Sequence, residues 1–367
     1  MIWLAFPAFV ILSVRLAVVL VNLLSRMYLG EGSPSGRPLV SVMIPARNEE
    51  QNLPLLLEGL LRQEYDHLEI LVYDDESTDG TVEILEQYRR KDERIRVLQG
   101  SGVPDGWNGK NNACHQLAQN GRGEWFLFLD ADVQVAPDLT GKAVAYAQGH
   151  DLSLLSIFPR QLMRTFGELL TVPTMNWILL SLLPLRLIRR SHYPSLAAAN
   201  GQFMLFRARE YRHHQFHRMV SDINVEDIHI IRKMKQMGYI AQTLLSRGEV
   251  SCRMYTSYRE SIFGFTRSMF AFFGGSGLTM ILFTLFTTFG VWFVWEGMLP
   301  AAALVYLVLA LFLRIFVAWM SYQPVLNLLV ITPLIHFSFV WMVIQSFIMK
   351  IRGRNAWKGS VIRFRGI

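Results

Sequence analysis

Long apolar segments near both ends of the chain most strongly limit what it can fold into. They are residues 2–24, 277–299, 301–320 and 324–349. Each reaches the ~20 residues with which a helix crosses the hydrocarbon core of a bilayer. Because 51% of all residues are also hydrophobic, we expect a membrane-spanning helix at 1–25 and several at 277–349.

A cleaved signal peptide is the alternative for the first segment. Its apolar part is too long, it lacks a basic amino-terminal flank, and it has no clear small-x-small cleavage site. We therefore interpret it as a retained membrane anchor.

The stretch between the apolar ends has the character of a soluble α/β domain. A Gly- and Ser-rich linker at 26–37 precedes it, and β-rich runs then alternate with helical patterns. The pattern covers residues 39–44, 51–62, 68–73, 81–91, 95–98, 111–119 and 125–129. Such alternation is typical of a sheet of parallel strands covered by helices, here in a domain at 38–250.

Two interrupted apolar segments, 169–188 and 262–273, are typical of helices that lie in the membrane interface. Buried core helices are the alternative for both. The second segment falls in a predicted interfacial region at 251–276.

The net charge of +7 raises the question of a nucleic-acid partner. The basic residues cluster beside apolar segments instead, which favours anionic lipid and a cytosolic catalytic domain on a multi-pass membrane protein. The clusters are Arg26 and Arg37, Arg186, Arg189 and Arg190, and a basic tail at 350–367. We therefore expect no nucleic-acid binding. The two cysteines of the chain can form neither a disulfide framework nor a zinc site.

Two pairs of aspartates follow apolar strand patterns. Asp130-Ala131-Asp132 comes after the run 124–129, and Asp74-Asp75 comes after 68–73. Ligands of an open α/β sheet bind at the carboxyl ends of its strands, where two carboxylates can share a divalent cation. We expect the first pair to hold a metal and a phosphate, and the second to face a nucleobase and a ribose. Turn formation or helix capping is the alternative for both pairs.

Two other nucleotide-binding classes are disfavoured. The loop 45–50 after the first strand contains no glycine, whereas a dinucleotide-binding fold needs its glycine-rich turn there. No Gly-x-x-x-x-Gly-Lys-Ser/Thr sequence of a P-loop occurs either.

Taken together, the motifs resemble those of family 2 glycosyltransferases, which have the GT-A fold. They include Pro45-Ala46-Arg47-Asn48-Glu49, Asp74-Asp75-x-Ser77-Thr78-Asp79-Gly80-Thr81, Gly109-Lys110, Asp130-Ala131-Asp132 and Glu226-Asp227. Gly106-Trp107-x-Gly109-Lys110 and Asn200-Gly201-Gln202-Phe203 are similar to the membrane-anchored branch that glucosylates lipids, which includes hydroxychlorobactene and diaponeurosporenoate glycosyltransferases. The resemblance implies inverting transfer from a nucleotide sugar with Mg²⁺ or Mn²⁺.

The resemblance also implies roles for individual residues. Asp227 would be the general base, with Glu226 beside it, and Asp132 with Asp130 would bind the metal. The implied nucleotide-sugar contacts are Pro45, Arg47, Glu49, Asp74, Asp75, Lys110, Asp130, Arg253 and Tyr255. The implied acceptor-side residues are Asn200, Gln202 and His217. A surface lysine at 110 and a helix-capping role for Glu226 and Asp227 remain alternatives.

The Gln-x-x-Arg-Trp motif of processive family members is absent, and Cys252-Arg253-Met254-Tyr255 stands in its region. This favours the addition of one hexose, with glucose from UDP-glucose expected. A carotenoid-like lipid hydroxyl is the favoured acceptor, with ceramide, sterol, diacylglycerol and polyprenyl phosphate as alternatives. The competing class is a non-catalytic membrane scaffold or transporter that kept the fold.

Overall fold

The computed structural model describes residues 2–352 in full and, beyond them, only the backbone of 355–357 and 360–362. The chain forms two compact units. The α/β unit comprises Arg26–Leu162 and Leu185–Arg253, and the helical unit comprises Met1–Ser25, Met163–Pro184 and Met254–Ile367. Half of the predicted basic tail, including Arg354, Lys358, Arg363 and Arg365, lies outside the described residues.

The described residues contain 16 helices and 12 strands. The helices are α1 Ile2–Ser25, α2 Leu53–Leu61, α3 Thr81–Lys91, α4 Gly109–Asn120, α5 Leu139–Gly149, α6 Phe166–Thr171, α7 Pro173–Leu182, α8 Leu185–Arg190, α9 Ala208–His214, α10 Phe216–Met219, α11 Glu226–Gln236, α12 Tyr258–Phe272, α13 Gly277–Gly297, α14 Pro300–Met320, α15 Val325–Val330 and α16 Thr332–Ile351. The strands are β1 Val40–Ala46, β2 Leu68–Asp74, β3 Ile95–Gln99, β4 Trp125–Leu129, β5 Val133–Val135, β6 Leu154–Phe158, β7 Arg160–Gln161, β8 Phe203–Arg207, β9 Ala241–Leu245, β10 Val250–Cys252, β11 Asn355–Trp357 and β12 Ser360–Ile362.

The α/β unit is built on a seven-stranded sheet in the order β3-β2-β1-β4-β8-β6-β9. Strand β8 is antiparallel to β4 and β6, and the other pairs are parallel. Every residue of β2 and β4 is buried, as expected for strands covered by helices on both faces. A mixed α/β sheet of the GT-A type was predicted, and this prediction is confirmed.

The strand order places β1 between β2 and β4, so the chain connections reverse direction there. Ligands of open α/β sheets bind at such a reversal, outside the carboxyl ends of the strands. The loops that follow β1, β2 and β4 all leave the sheet at this edge. A second, three-stranded sheet, β5-β10-β7, begins directly after the β4 loop.

The helical unit contains four helices long and apolar enough to cross a membrane among the described residues: α1, α13, α14 and α16. The predicted segment 324–349 is divided, because α15 ends at Val330 and α16 begins at Thr332. Pro333 lies in the first turn of α16, where its missing N–H costs no helical hydrogen bond.

The prediction of one interfacial helix at 169–188 is wrong. The structure has three short helices there, α6 to α8, and most of α7 is buried. Asn22 of α1 donates hydrogen bonds to the carbonyls of Leu180 and Leu183, and Arg15 donates to the Ser181 hydroxyl. Helix α7 is therefore a packed part of the helical unit.

Candidate active site

The predicted nucleotide loops lie together at the carboxyl ends of β1 and β2. Asp74 is the last residue of β2, and both Asp74 and Asp75 are buried. The Arg47 guanidinium donates a 3.1 Å hydrogen bond to Asp75 Oδ2, while Asp75 Oδ1 is buried and has no hydrogen-bond partner among the described residues. One carboxylate oxygen is therefore left for a donor group of a ligand.

The loops after β1 and β2 are held together by hydrogen bonds between backbone and side chains. The amides of Asn48 and Glu49 donate to the hydroxyls of Ser77 and Thr81, and the Thr78 amide donates to Asn48 Oδ1. Asp79 accepts hydrogen bonds from the amide and the hydroxyl of Thr81 at the start of α3. Pro45 lies within β1, opposite Tyr73 of β2.

Lys110 is the centre of a second cluster. Its ammonium lies 2.8 Å from Asp130 Oδ1 and 2.9 Å from Glu226 Oε1. Burial alone would lower the pKa of Lys110, but the charges of Asp130 and Glu226 raise it well above its ordinary range. The lysine is therefore a permanent cation that joins the β4 loop to the start of α11.

The start of helix α4 explains how Lys110 reaches Glu226. The Asn108 side chain accepts from the Lys110 amide as the amino-terminal cap, and its amide group donates to Asn224 Oδ1. The buried Asn111 side chain donates to the carbonyls of Val220, Ser221 and Ile223, at 2.7, 3.2 and 2.8 Å. These contacts hold the loop before Glu226 against the positive end of α4, where anions are stabilised.

Asp130 and Asp132 follow β4 as predicted, but their surroundings differ. Burial raises the pKa of Asp130 although Lys110 opposes the shift. Burial and the charges of Asp130 and Glu49 raise the pKa of Asp132 to about 7. Asp132 Oδ1 is buried and has no hydrogen-bond partner in the described part of the chain, and Oδ2 lies 3.4 Å from the side-chain nitrogen of Gln202. Asp132 is thus a half-buried acid with one buried, unpaired oxygen and nearby negative charge.

This arrangement fits a divalent cation that is shared with a ligand. Among the described residues, no three or more His, Cys, Asp or Glu side chains form a group that could hold an ion by themselves. Mg²⁺ is commonly bound by one or two carboxylates together with phosphate oxygens and water. Asp132 and Asp130 together would supply two carboxylates for such an ion.

Asp227 lies at the start of α11 and is held by two backbone amides. Gly201 N–H donates to Oδ2 at 2.9 Å, and Ile228 N–H donates to Oδ1 at 2.7 Å. Burial, followed by the charge of Glu226, raises the pKa of Asp227 to about 7, although Lys110 and both amides oppose the shift. A carboxylate whose pKa is about 7 can accept a proton near neutral pH.

Gly201 is a site residue whose role the sequence did not reveal. A Cβ atom there would lie 3.1 Å from both Glu226 Oε1 and Lys110 Nζ, and 3.7 Å from Asp227 Oδ2. The absence of a side chain lets the backbone amide reach Asp227. The Asn200-Gly201-Gln202 motif includes this glycine, but the motif predicted roles only for the side chains of Asn200 and Gln202.

The predicted acceptor-side residues occupy different environments. Gln202 is buried beside Asp132, and its side-chain nitrogen lies 2.8 Å from Cys252 Sγ. The backbone amide of Gln202 donates a hydrogen bond to Asn200 Oδ1. His217 is buried against Phe128 and hydrogen-bonds the Tyr211 hydroxyl. Burial lowers the pKa of His217 to about 3, so its ring is neutral.

Arg253 directly follows Cys252 and ends the α/β unit. Tyr255 belongs to the helical unit, where its ring packs edge-on against Phe265. Cys252 is a second residue that sequence reasoning missed, because cysteine was considered only for disulfide and zinc chemistry. Its buried thiol lies 2.8 Å from the side-chain nitrogen of Gln202.

Comparison with known proteins identifies the family of the α/β unit. Residues 41–213 match the family model described as glycosyl transferase family 2. The matched range contains Arg47, Asp75, Lys110 and Asp132, whereas Asp227 lies beyond it. The family predicted from the sequence motifs is confirmed.

Two curated relatives act on lipids according to their names. The chain is 28% identical over 241 residues to the 4,4'-diaponeurosporenoate glycosyltransferase of Staphylococcus haemolyticus, covering 63% of this chain and 60% of that protein. It is 36% identical over 104 residues to the beta-monoglucosyldiacylglycerol synthase of a Nostoc species, covering 28% of this chain and 22% of that protein. The alignments thus span less than two thirds of either relative.

A solved structure with the same fold is the mannosyltransferase PcManGT from Pyrobaculum calidifontis, in complex with GDP-Man and Mn²⁺. The superposition covers 95% of this chain and 99% of that chain, with a TM-score of 0.56 and 18% sequence identity. At this identity the likeness concerns the fold.

Proposed function

Residues 41–213 form a glycosyl transferase family 2 domain, and from this premise we propose that the protein transfers one hexose from a UDP-sugar to a hydroxyl group of a membrane lipid. One observation carries the proposal: Lys110 joins Asp130 of the β4 loop to Glu226 of α11. Acids from separate parts of the chain thereby surround one half-buried cation. A structural core has no need for such an arrangement, because burying charged groups costs free energy.

Asp227 is the general base of the proposed reaction. It removes the proton from the acceptor hydroxyl as that oxygen bonds to the anomeric carbon of the donor. The bond from this carbon to the diphosphate breaks, UDP leaves with the electron pair, and the sugar configuration inverts. The two amides that hold Asp227 fix its carboxylate in place for this transfer.

The remaining acids and cations of the site bind the donor. Asp74 and Asp75 accept hydrogen bonds from the uracil and ribose, with Arg47 and Glu49 beside them. The Lys110 ammonium neutralises charge on the diphosphate. Mg²⁺ or Mn²⁺, when bound by Asp132 with Asp130, would stabilise the negative charge of the leaving UDP.

A lipid acceptor is supported by the composition of the chain and by its relatives. Within the described residues, four helices are apolar enough to cross a membrane. The names of the two curated relatives specify a carotenoid-type acid and a diacylglycerol as lipid acceptors. We favour a carotenoid-like acceptor, since the longer of the two alignments is with the diaponeurosporenoate enzyme. The catalytic unit would face the cytosol, where nucleotide sugars are made.

Mass spectrometry of lipid extracts tests this proposal. The purified full chain is incubated with a bacterial lipid extract, MnCl₂ and UDP-glucose, UDP-galactose or GDP-mannose in separate reactions. We expect a lipid that gains one hexose with a UDP-sugar. Asp132→Asn should abolish this product, whereas Asp105→Asn, which changes an exposed aspartate, should leave it unchanged. Hexose transfer only to water, or only from GDP-mannose, would contradict the proposal.

A further inference from the structure

The helical unit contains a pocket whose polar lining side chains can each donate hydrogen bonds. Its lining includes Trp177 of α7, Arg314 of α14 and Gln323 in the turn that follows α14. The apolar wall includes Val317, Val325 and Leu328. All of these residues belong to the helical unit.

Arg314 lies in an apolar helix, where it contacts His336 and the Trp177 ring. One guanidinium nitrogen lies 2.8 Å from His336 Nδ1, and the guanidinium carbon is 4.6 Å from the centroid of the Trp177 ring. Arg15 of α1 lies 4.7 Å from the same ring and bonds the Ser181 hydroxyl. Among the described residues, neither arginine has a carboxylate partner within salt-bridge distance. Two positive charges in an apolar unit are costly unless an anion faces them.

Two further donors in the lining also lack acceptors. The indole Nε1 of Trp177 and the amide Nε2 of Gln323 are buried without hydrogen-bond partners in the part of the chain that the structure describes. The two side chains are only 4% and 6% exposed. An unpaired buried donor costs free energy that a bound acceptor would recover. The pocket therefore has the chemistry of a site for anionic oxygen.

We propose that this pocket binds the phosphate of a membrane lipid, with an acyl chain of that lipid against Val317, Val325 and Leu328. Arg314 lies six residues before the last residue of α14, Met320. At 1.5 Å per residue this is roughly 9 Å from the helix end, a depth that a headgroup can reach. A lipid fits better than a soluble anion because the rest of the wall is apolar. The proposal is independent of the sugar-transfer reaction.

Native mass spectrometry of the full chain in dodecylmaltoside micelles tests this site. The protein is titrated with dioleoylphosphatidylglycerol, with dioleoylglycerol, which has the same chains but no phosphate, and with inorganic phosphate. We expect the phospholipid alone to bind at low concentration. Gln323→Leu should weaken its binding about tenfold, because a hydrogen bond to a charged group is lost. Arg314→Gln should weaken binding at least as much.

Arg259→Gln is the matched control, because it removes one positive charge from an exposed position of the same unit. Its lipid affinity should stay within about twofold of the wild type. Should Arg314→Gln not fold, Gln323→Leu decides alone, since it removes a side-chain nitrogen that has no hydrogen-bond partner among the residues the structure describes. Equal binding of dioleoylglycerol, saturation by inorganic phosphate at the same concentration as the phospholipid, or an unchanged affinity of Gln323→Leu would overturn the proposal.

Discussion

At the scale of single residues, the site depends on carboxyl groups that are buried near other acids. Burial and the neighbouring negative charges raise the pKa values of Asp132 and Asp227 to about 7. Such groups are costly to ionise. A bound cation or a proton from the acceptor offsets that cost, which links the raised pKa values to the proposed chemistry.

The activity should therefore increase with pH. Below pH 7 Asp227 is protonated and cannot accept a proton, and above pH 7 it is an ionised base; Asp132 ionises over the same range. We expect kcat/KM for sugar transfer to rise through about pH 7 and to reach a plateau above it. Glu226→Gln should move the midpoint to lower pH, because a like charge beside Asp227 is removed. A profile that is flat from about pH 5.5 to 8.5 would contradict the role of Asp227.

At the scale of secondary-structure elements, the contact between α4 and the loop before α11 positions the catalytic acids. Asn111 makes this contact through its bonds to three carbonyls, and Lys110 extends from the same helical turn to Glu226. The spacing between the two segments along the chain gives no hint of this contact.

Asn111→Leu should break the contact while it keeps a side chain of similar volume. We expect a loss of about 2–3 kcal/mol in unfolding free energy, because buried carbonyls lose their donor. Sugar transfer should fall about tenfold or more as Glu226 moves away from Lys110. Thermal unfolding and initial rates measure the two effects.

The control for this variant is Asn120→Leu at the exposed end of the same helix, where the side chain bonds only the Gln116 carbonyl. It should change both quantities little. Similar losses in the two variants would show that the contact between α4 and the loop has no special role.

Most elements of the α/β unit could be predicted because their patterns are local. The strand at 125–129 is a continuous apolar run, and α3 matches its predicted bounds of 81–91. Side-chain pairings across the fold could not be predicted in this way. The role of Gly201 depends on the space beside Lys110, and the burial of α7 depends on Arg15 and Asn22 of a distant helix. Local composition predicts neither the close approach at Gly201 nor the burial of α7.

At the scale of the whole molecule, the proposal requires the α/β unit to lie on the cytosolic side of a membrane. Helix α1 would then run from outside to inside, as Arg26 and Arg37 after it favour. Helix α13 would lead out again, which places the short connection to α14 outside.

Cysteine labelling tests this topology, because Cys114 and Cys252 are both buried and give little background. Ser33→Cys lies in the exposed linker, and Leu299→Cys lies between α13 and α14, at a position that is 76% exposed. A membrane-impermeant maleimide should label Leu299→Cys in intact cells and Ser33→Cys only after permeabilisation. The reverse pattern would place the catalytic unit outside the cell and exclude a cytosolic donor.

The central claim is that Asp227 performs the chemistry at a site that other acids and cations build. Its most direct test is the rate of transfer from radiolabelled UDP-glucose to lipid by Asp227→Asn, compared with Asp222→Asn, an exposed aspartate in the loop before it. We predict that Asp227→Asn loses activity by about 10²–10⁴-fold while its affinity for UDP stays unchanged, and that Asp222→Asn is normal. An Asp227→Asn enzyme with the wild-type rate would contradict the account.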